Sequence, residues 1–376
     1  AKRKLFAILV DMEFEDQRPH LHSKVEKIRN WVHLHRPLTL ALIGLVLILL
    51  ASATAYGIWV ITTPKATGPV SVIIKPKPKY YSPLTGELVK TESATQKPVT
   101  AIMIENSPDA RPQSGLKDAE VVYEAVAEGG ITRFLALYQQ HKPGLIGPVR
   151  SVRLYYVDWL TPFNASVAHV GGSAKALKLV RNGSYRDIDQ FFNSAYYWRA
   201  TDRYAPHNVY TSFAKLDALN KSKGYKSSNP KPFDRSDIAP VPAAKQNAKT
   251  ISITISSDLY NSKYIYNAKS GKYLRYEAGV PHTDREKGQI AAKVVVALRV
   301  NMQQVLEDGY RESIKTTGTG TAIVFQNGKA TKVTWHKPTR SSQLSFTDAK
   351  GRPFLLARGT TWISAVPNDG GNVTWR

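Results

Sequence analysis

The amino-acid sequence predicts an α/β domain followed by a β-rich domain, with one transmembrane helix ahead of both. Three observations lead there: a long uncharged apolar run near the N-terminus, a middle third in which strand-like and helix-like runs alternate, and a final third of period-2 alternation broken by Asn-Gly, Ser-Gly and Lys-Gly turns.

The apolar run is LTLALIGLVLILLASATAYGIWVI, residues 38–61, 24 residues without a charge. As a helix rising about 1.5 Å per residue it covers roughly 36 Å, enough to cross a bilayer with some tilt. Ala51-Ser52-Ala53 and Ala53-Thr54-Ala55 match a signal-peptide cleavage site. The run nevertheless continues through GIWVI, with Tyr56 and Trp59 placed as an interfacial belt, which favours an uncleaved anchor. Lys/Arg counts on the two flanks nearly balance, and Lys2, Arg3 and Lys4 tip the expected orientation to a cytoplasmic N-terminus with the C-terminal domains outside. Residues 23–36, SKVEKIRNWVHLHR, read either as an amphipathic helix on anionic headgroups or as a solvated tail.

The expected organisation is a cytoplasmic segment 1–37, the helix 38–61, a Pro/Lys-rich spacer 62–97, an α/β domain 98–224, a Pro-rich linker 225–249 and a β-rich domain 250–376. Within the spacer, SPLTGE reads equally as a turn at the edge of the following domain. In the α/β domain VTAIMIEN (99–106), ITRFLALYQ (131–139) and NASVAHVG (164–171) read as strands. VRLYYVDWL (152–160), SAKALKLVRNG (173–183) and SFAKLDALNKSKGY (212–225) read as helices. GLKDAEVVYEAVAE (115–128) fits either period and stays open. In the last domain ISITIS, YIYNAKSGKYLRYEAG, AKVVVALRV and GTAIVFQNGKATKVTWHKP alternate as strands of a sandwich or barrel, with QNGK as a hairpin turn.

The chain has 376 residues and no cysteine, which excludes disulfides, thiolate metal sites, a cysteine nucleophile and a lipobox. The formal net charge is +23; residues 1–37 carry eight basic and five acidic side chains, so +20 falls on residues 38–376. A surface this basic outside a membrane points to anionic cell-wall polymer, acidic glycan or lipid headgroups as partners, and not to nucleic acid. Solubility alone is the bland account of the lysine excess.

No phosphate-binding loop, dinucleotide fingerprint, H-E-x-x-H or G-x-S-x-G is present. HVGGS places glycines between His169 and Ser173, as in an oxyanion loop or, more simply, a helix cap. The histidines His141, His169, His207, His282 and His336 have no metal-ligand spacing, so neither metal nor cofactor is expected. What remains is a polar set in EGGITR and GPVRSVR. Arg150 and Arg153, three apart at a helix start, can converge with Arg133 and free backbone amides on one anion. APHN presents His207 and Asn208 in an extended loop. Glu128 and His207 suit acid–base chemistry, while the arginines suit a phosphate or carboxylate. The competing account is that Glu124, Glu128, Arg133 and Arg150 pair with one another and order the fold.

RPQSGLKDAEVVYEAVAEGGITRFLALYQ, GPVRSVRLYYVDWL, HVGGS and APHNVYTS, in that order, resemble the YerB-like family of bacterial envelope proteins. GTGTAIVFQNGKATKVTWHKP and GTTWISAVP resemble that family's C-terminal module, and the resemblance spans residues 97–367. Members are typically lipoproteins; this chain has an apolar helix in place of the lipobox cysteine. The resemblance implies an architecture and an envelope location, and carries no reaction with it. A fainter outline is similar to the LytR–CpsA–Psr phosphotransferases, which move glycopolymers from polyprenyl phosphate to peptidoglycan. Their metal-binding aspartates have one candidate counterpart here, Asp158, because Phe134, Leu135 and Ala136 follow Arg133. The expectation is a membrane-anchored envelope protein that binds wall polymer or its precursor as a scaffold, the alternative being an enzyme of phosphoglycosyl transfer or glycan cleavage.

Overall fold

The computed structural model describes residues 19–63, 78–304 and 312–376. The basic triplet Lys2 to Lys4 and residues 64–77 of the expected spacer lie outside the described residues. The chain divides into two units, Ala1–Pro76 and Lys77–Arg376.

In the first unit two helices follow one another, α1 (Pro19–Leu34) and α2 (Arg36–Thr62). Helix α2 overruns the expected 38–61 slightly at both ends and buries none of its residues. It is long and apolar enough to cross a membrane. Its hydroxyls do not stay free: Ser52 Oγ donates to Ile48 O at 2.7 Å and Thr54 Oγ1 to Leu50 O at 2.9 Å. Such back-bonding satisfies these two hydroxyl donors within the helix itself, as an apolar medium would require.

In the second unit strands with apolar residues on both faces must be covered on both faces. The elements are β1 (Thr100–Glu105), β2 (Val121–Glu128), β3 (Ile131–Tyr138), α3 (Leu154–Leu160), β4 (Ser166–Ala168), α4 (Ala174–Val180), β5 (Arg186–Asp187) and α5 (Phe213–Ser222). Then come β6 (Thr250–Thr254), β7 (Ser262–Asn267), β8 (Lys272–Glu277), β9 (Val294–Val300), β10 (Gly318–Gln326), β11 (Lys329–Lys337), β12 (Ser345–Thr347), β13 (Thr361–Pro367) and β14 (Asn372–Trp375). The segment that fitted either period is a strand from Val121 onward, preceded by a short 3-10 turn, Leu116–Asp118. Burial decides it, because Tyr123 and Ala125 face one core while Val122 faces another.

One ten-stranded sheet runs β12-β11-β10-β9-β13-β2-β3-β1-β4-β5. Strands from either side of the expected linker therefore share one sheet, joined where β13 runs parallel to β2 from Thr361↔Val121 to Ser364↔Glu124. Residues of the expected linker lie against this body, Arg235–Ser236 pairing with Leu356–Ala357. The expected spacer also ends early. By Tyr80–Tyr81 the chain is in a strand pair, Leu84 is fully buried, and Arg235 Nη2 donates to Leu84 O at 2.8 Å. SPLTGE is thus a turn of the domain's edge.

Helices α3 and α4 cover one face of the large sheet with Tyr156, Trp159 and Val180. The other face meets α5 and a second sheet, in the order Val280–Pro281, β8, β7, β6, β14. The result is sheet-rich with some helices. Two tight hairpins shape it: Gly129 and Gly130 (φ 57° and 76°) join β2 to β3, and Asn327 and Gly328 (φ 53° and 77°) join β10 to β11. Both central residues need positive φ, which glycine and asparagine accept most readily.

Candidate functional site

The Gly129-Gly130 turn folds Glu128 back beside Arg133. Arg133 Nη2 donates to Glu128 Oε1 at 2.6 Å, and Arg153 Nε and Nη2 donate to Oε2 at 3.0 and 2.7 Å. Of the remaining donors, Arg133 Nη1 goes to Ser151 O and Arg153 Nη1 to Val152 O, while Arg133 Nε is buried without a partner. With the arginine side chains 3% and 7% exposed, this triad is a closed knot, not an open anion site. The expected roles of Glu128 as acid–base group and of Arg133 and Arg153 as ligand-binding residues are corrected accordingly. Burial acts to raise the Glu128 carboxyl, but the charges and hydrogen bonds of Arg133 and Arg153 outweigh it and hold it below the ordinary range. A carboxyl lowered in the folded state stabilises the fold above its unfolded value, near pH 4.3, and the contribution is lost as pH falls through the folded value. Glu128→Gln should lower unfolding stability by about 2 kcal/mol at pH 7, the scale of hydrogen bonds to charged groups. A Glu128→Gln protein as stable as the wild type by urea unfolding would sink the structural role.

Arg150 belongs to a different cluster. The buried strand β1 ends in Glu105, whose Oε1 accepts from Arg150 Nε at 3.0 Å and from Ser107 Oγ at 3.2 Å. His207 Nδ1 is hydrogen-bonded to Ser107 Oγ at 3.1 Å and lies 3.0 Å from the same Glu105 oxygen, and Nε2 is 4.0 Å from Asp109 Oδ2. Glu105 is 3% exposed and its Oε2 has no hydrogen-bond partner. The His207 side chain, one-fifth exposed, lines a cleft of about 670 Å³ together with Arg111, Arg203, Arg285, Asp109 and Asp202. Arg203 is held by carbonyls, donating to Asp109 O at 3.0 Å and Pro112 O at 2.6 Å, so its charge is fixed in place without being neutralised. Arg285 pairs with Asp202, and Arg111 bonds Asn106 while lying 3.4 Å from Glu277 Oε2. A carboxylate-oriented histidine at the wall of a basic cleft can bind an acidic group and exchange a proton with it.

Between the sheets lies a third, fully buried network. Arg275 Nη2 donates to both Glu124 oxygens, at 2.8 and 2.9 Å, and lies 3.3 Å from Glu277 Oε1. Trp362 Nε1 and Ser364 Oγ donate to Glu124 Oε2, and Asn106 Nδ2 donates to Glu277 Oε1. This network ties β2 to β8 and β13. Glu124 thus finds its arginine 151 positions away, not among its sequence neighbours.

The other expected residues are structural. His169 is buried, with Nδ1 2.7 Å from Gly171 O and Nε2 3.0 Å from Asp187 Oδ1. Neither ring nitrogen is turned to Ser173, which occupies the N-cap of α4 without a side-chain capping bond. A Cβ on Gly172 would come within 2.7 Å of Val152 Cγ1, so close packing explains that glycine of HVGGS. Asn208 closes its own loop, accepting from Arg199 Nη1 at 2.7 Å and donating to Ala200 O at 3.2 Å. Asp158 is taken by Arg340 Nε and Thr316 Oγ1.

Sequence reasoning missed Glu105, Arg111, Arg203, Arg275 and Arg285. A signal existed for three of them: IENSPDAR, with Glu105 and Arg111, crowds polar groups behind an apolar strand, and in KYLRYE Arg275 stands at an inward position of the alternation, between Tyr273 and Glu277.

Residues 84–226 match the family model described as "Protein of unknown function (DUF3048) N-terminal domain", and residues 251–363 match its C-terminal counterpart. The chain belongs to the DUF3048 family. This DUF3048 chain is 34% identical over 295 residues to the protein designated lipoprotein YerB of Bacillus subtilis (strain 168), covering 77% of itself and 87% of that relative. The crystal structure of YerB from Bacillus subtilis is similar at a TM-score of 0.70 and 30% identity, over 79% of this chain and 100% of that one. The YerB-like resemblance read from the motifs therefore holds across both modules of the DUF3048 chain. The lipoprotein designation of the relative and the apolar helix α2 both point to association with a membrane.

Proposed function

We propose that this protein is a single-pass, membrane-anchored binding protein of the cell envelope, with a cytoplasmic N-terminus and the DUF3048 modules outside. Its cleft at His207 holds an acidic group of a wall polymer or its precursor. The observation that carries this reading is the guanidinium of Arg203, held by two carbonyls and in no ion pair among the described residues, set beside His207 in an open, polar cleft. The +20 on residues 38–376 adds a long-range attraction for the same partners. Binding of poly(glycerol phosphate) to the full chain in detergent should weaken as salt rises, because exposed charges are screened over about 8 Å at physiological ionic strength. Arg203→Gln with Arg285→Gln should lower affinity at least about tenfold, equivalent to about 1.4 kcal/mol. Equal binding by that variant, or equal binding of a neutral glycan, would overturn the reading.

The Glu105–His207 pair supports a second reading, in which the cleft transfers or cleaves the ligand it holds. There His207→Ala would abolish turnover and retain binding; a wild-type chain that binds the polymer without changing it leaves binding as the function.

A further inference from the structure

The C-terminal module contains a second cavity, of about 630 Å³. It opens where β9 and β10 part: their pairing runs from Val294↔Gln326 to Leu298↔Ala322 and stops, while β10 continues to Gly318 bonded to β11 alone. Facing this gap is β14, the edge strand of the second sheet, which contributes Val373 and Trp375.

Two indoles shape the cavity. Trp335 lies opposite Gly320, and its Nε1 donates to Arg299 O at 3.1 Å. A Cβ on Gly320 would come within 2.6 Å of that nitrogen, so glycine is what lets the ring lie across β10. Trp375 packs edge-on against Phe325, centroids 5.7 Å apart, and remains partly exposed. Trp335 is buried and backs the cavity, while Trp375, held by packing and partly exposed, presents apolar surface without ordering cost.

The charges are all of one sign. Arg299, Lys315 and Lys332 line the cavity, and no Asp or Glu does so among the described residues. Arg299 donates to Gly371 O and Asn368 O, each at 2.9 Å, which positions its guanidinium, and Asp369 acts on its charge from nearby. Lys315 and Lys332 are exposed and have no ion pair among the described residues. Asn301, Asn372, Thr319 and Thr321 add neutral donors and acceptors.

Each part restricts the ligand. Indole surface suits the apolar C–H faces of sugar rings, Asn and Thr suit hydroxyls, and a cationic lining with two lysines in no ion pair among the described residues favours acid groups. A bare phosphate chain would leave the indoles unused, and a neutral sugar would leave the cations unused. We propose that this cavity binds a segment of an acidic saccharide chain. The site shares no lining residue with the cleft at His207, so it stands or falls separately.

The test uses the full chain in detergent and three probes of matched length: oligogalacturonate, neutral maltooligosaccharide and inorganic polyphosphate. Oligogalacturonate should bind best. Lys315→Gln with Lys332→Gln, and Trp375→Ala separately, should each lower that affinity about tenfold. All variants are compared on an Arg203→Gln, Arg285→Gln background, so that anion binding at the cleft does not enter the reading. The two lysines are exposed, so their variant keeps the test valid if Trp375→Ala unfolds the edge strand. Equal binding of maltooligosaccharide, equal binding of polyphosphate with Trp375→Ala silent, or no binding of any probe would each overturn the assignment.

Discussion

Replacing Arg275 by methionine is expected to cost the fold about 3–5 kcal/mol, the range for removing one side of a buried ion pair. Arg275 and Glu124 are both fully buried, and no water can reach the carboxylate left behind. Burial acts to lower the guanidinium's proton affinity, yet Glu124 and Glu277 hold it above the ordinary value. The cation also lies 4.4 Å from the centroid of Trp362, so the substitution removes a ring contact as well. Urea unfolding of wild type and variant measures the loss. Glu124→Leu combined with Arg275→Met should recover much of it, since no charge is then stranded. A single variant within about 0.5 kcal/mol of wild type, the scatter of ordinary surface changes, would refute the account.

Acidification should also destabilise the protein, beginning near pH 6.5, through His282. Its Nδ1 accepts from Arg275 Nη1 at 2.6 Å and its Nε2–H donates to Gln113 Oε1 at 2.9 Å, so the folded ring is neutral. Burial first, then the charges of Arg275 and Arg111, hold its proton affinity well below the ordinary value; Glu277 Oε2, 3.7 Å from Nε2, does not reverse this. The sign follows from proton counting. Below the unfolded value, near pH 6.5, the unfolded chain binds a proton that the folded chain refuses, so stability falls as pH falls. The slope from one such group approaches about 1.4 kcal/mol per pH unit. His141, raised chiefly by its hydrogen bond with Glu120, acts in the opposite sense but equally in both proteins compared. His282→Gln should be less stable at pH 7 and show a flatter loss between pH 7 and 5. Parallel slopes for the two proteins would exclude His282 as the source.

How much of this was legible follows from where the information sits. Helix α2 could be read because uniform apolarity needs no tertiary partner, and the Asn327-Gly328 hairpin because positive φ at both positions selects those residue types. β2 could not be settled because it is buried on both faces, which erases the period-2 signal. At the cleft, the sequence set His207 with Glu128, whereas the structure sets it beside Glu105, 102 positions earlier. Glu128 is captured by an arginine five residues on and another 25 residues on. Local spacing placed the arginines correctly at element ends but could not say which acid each would meet. Arg275 is the extreme case, a charge whose neighbours include Glu124, Tyr264, His282 and Trp362 from four separate segments.

The pairing of β13 with β2 sets an order of events in time. Val121 and Thr361 are hydrogen-bonded neighbours although 240 positions separate them along the chain. A chain emerging N-terminus first therefore presents β2 with one edge unpaired until nearly its last residues have arrived. Such an edge is a template for pairing with another copy, and the long wait slows closure of the central sheet. A fragment cut within residues 227–250 would keep that edge open permanently and is expected to self-associate. Synthesis of this protein thus carries an interval of vulnerability that a holding chaperone would have to cover.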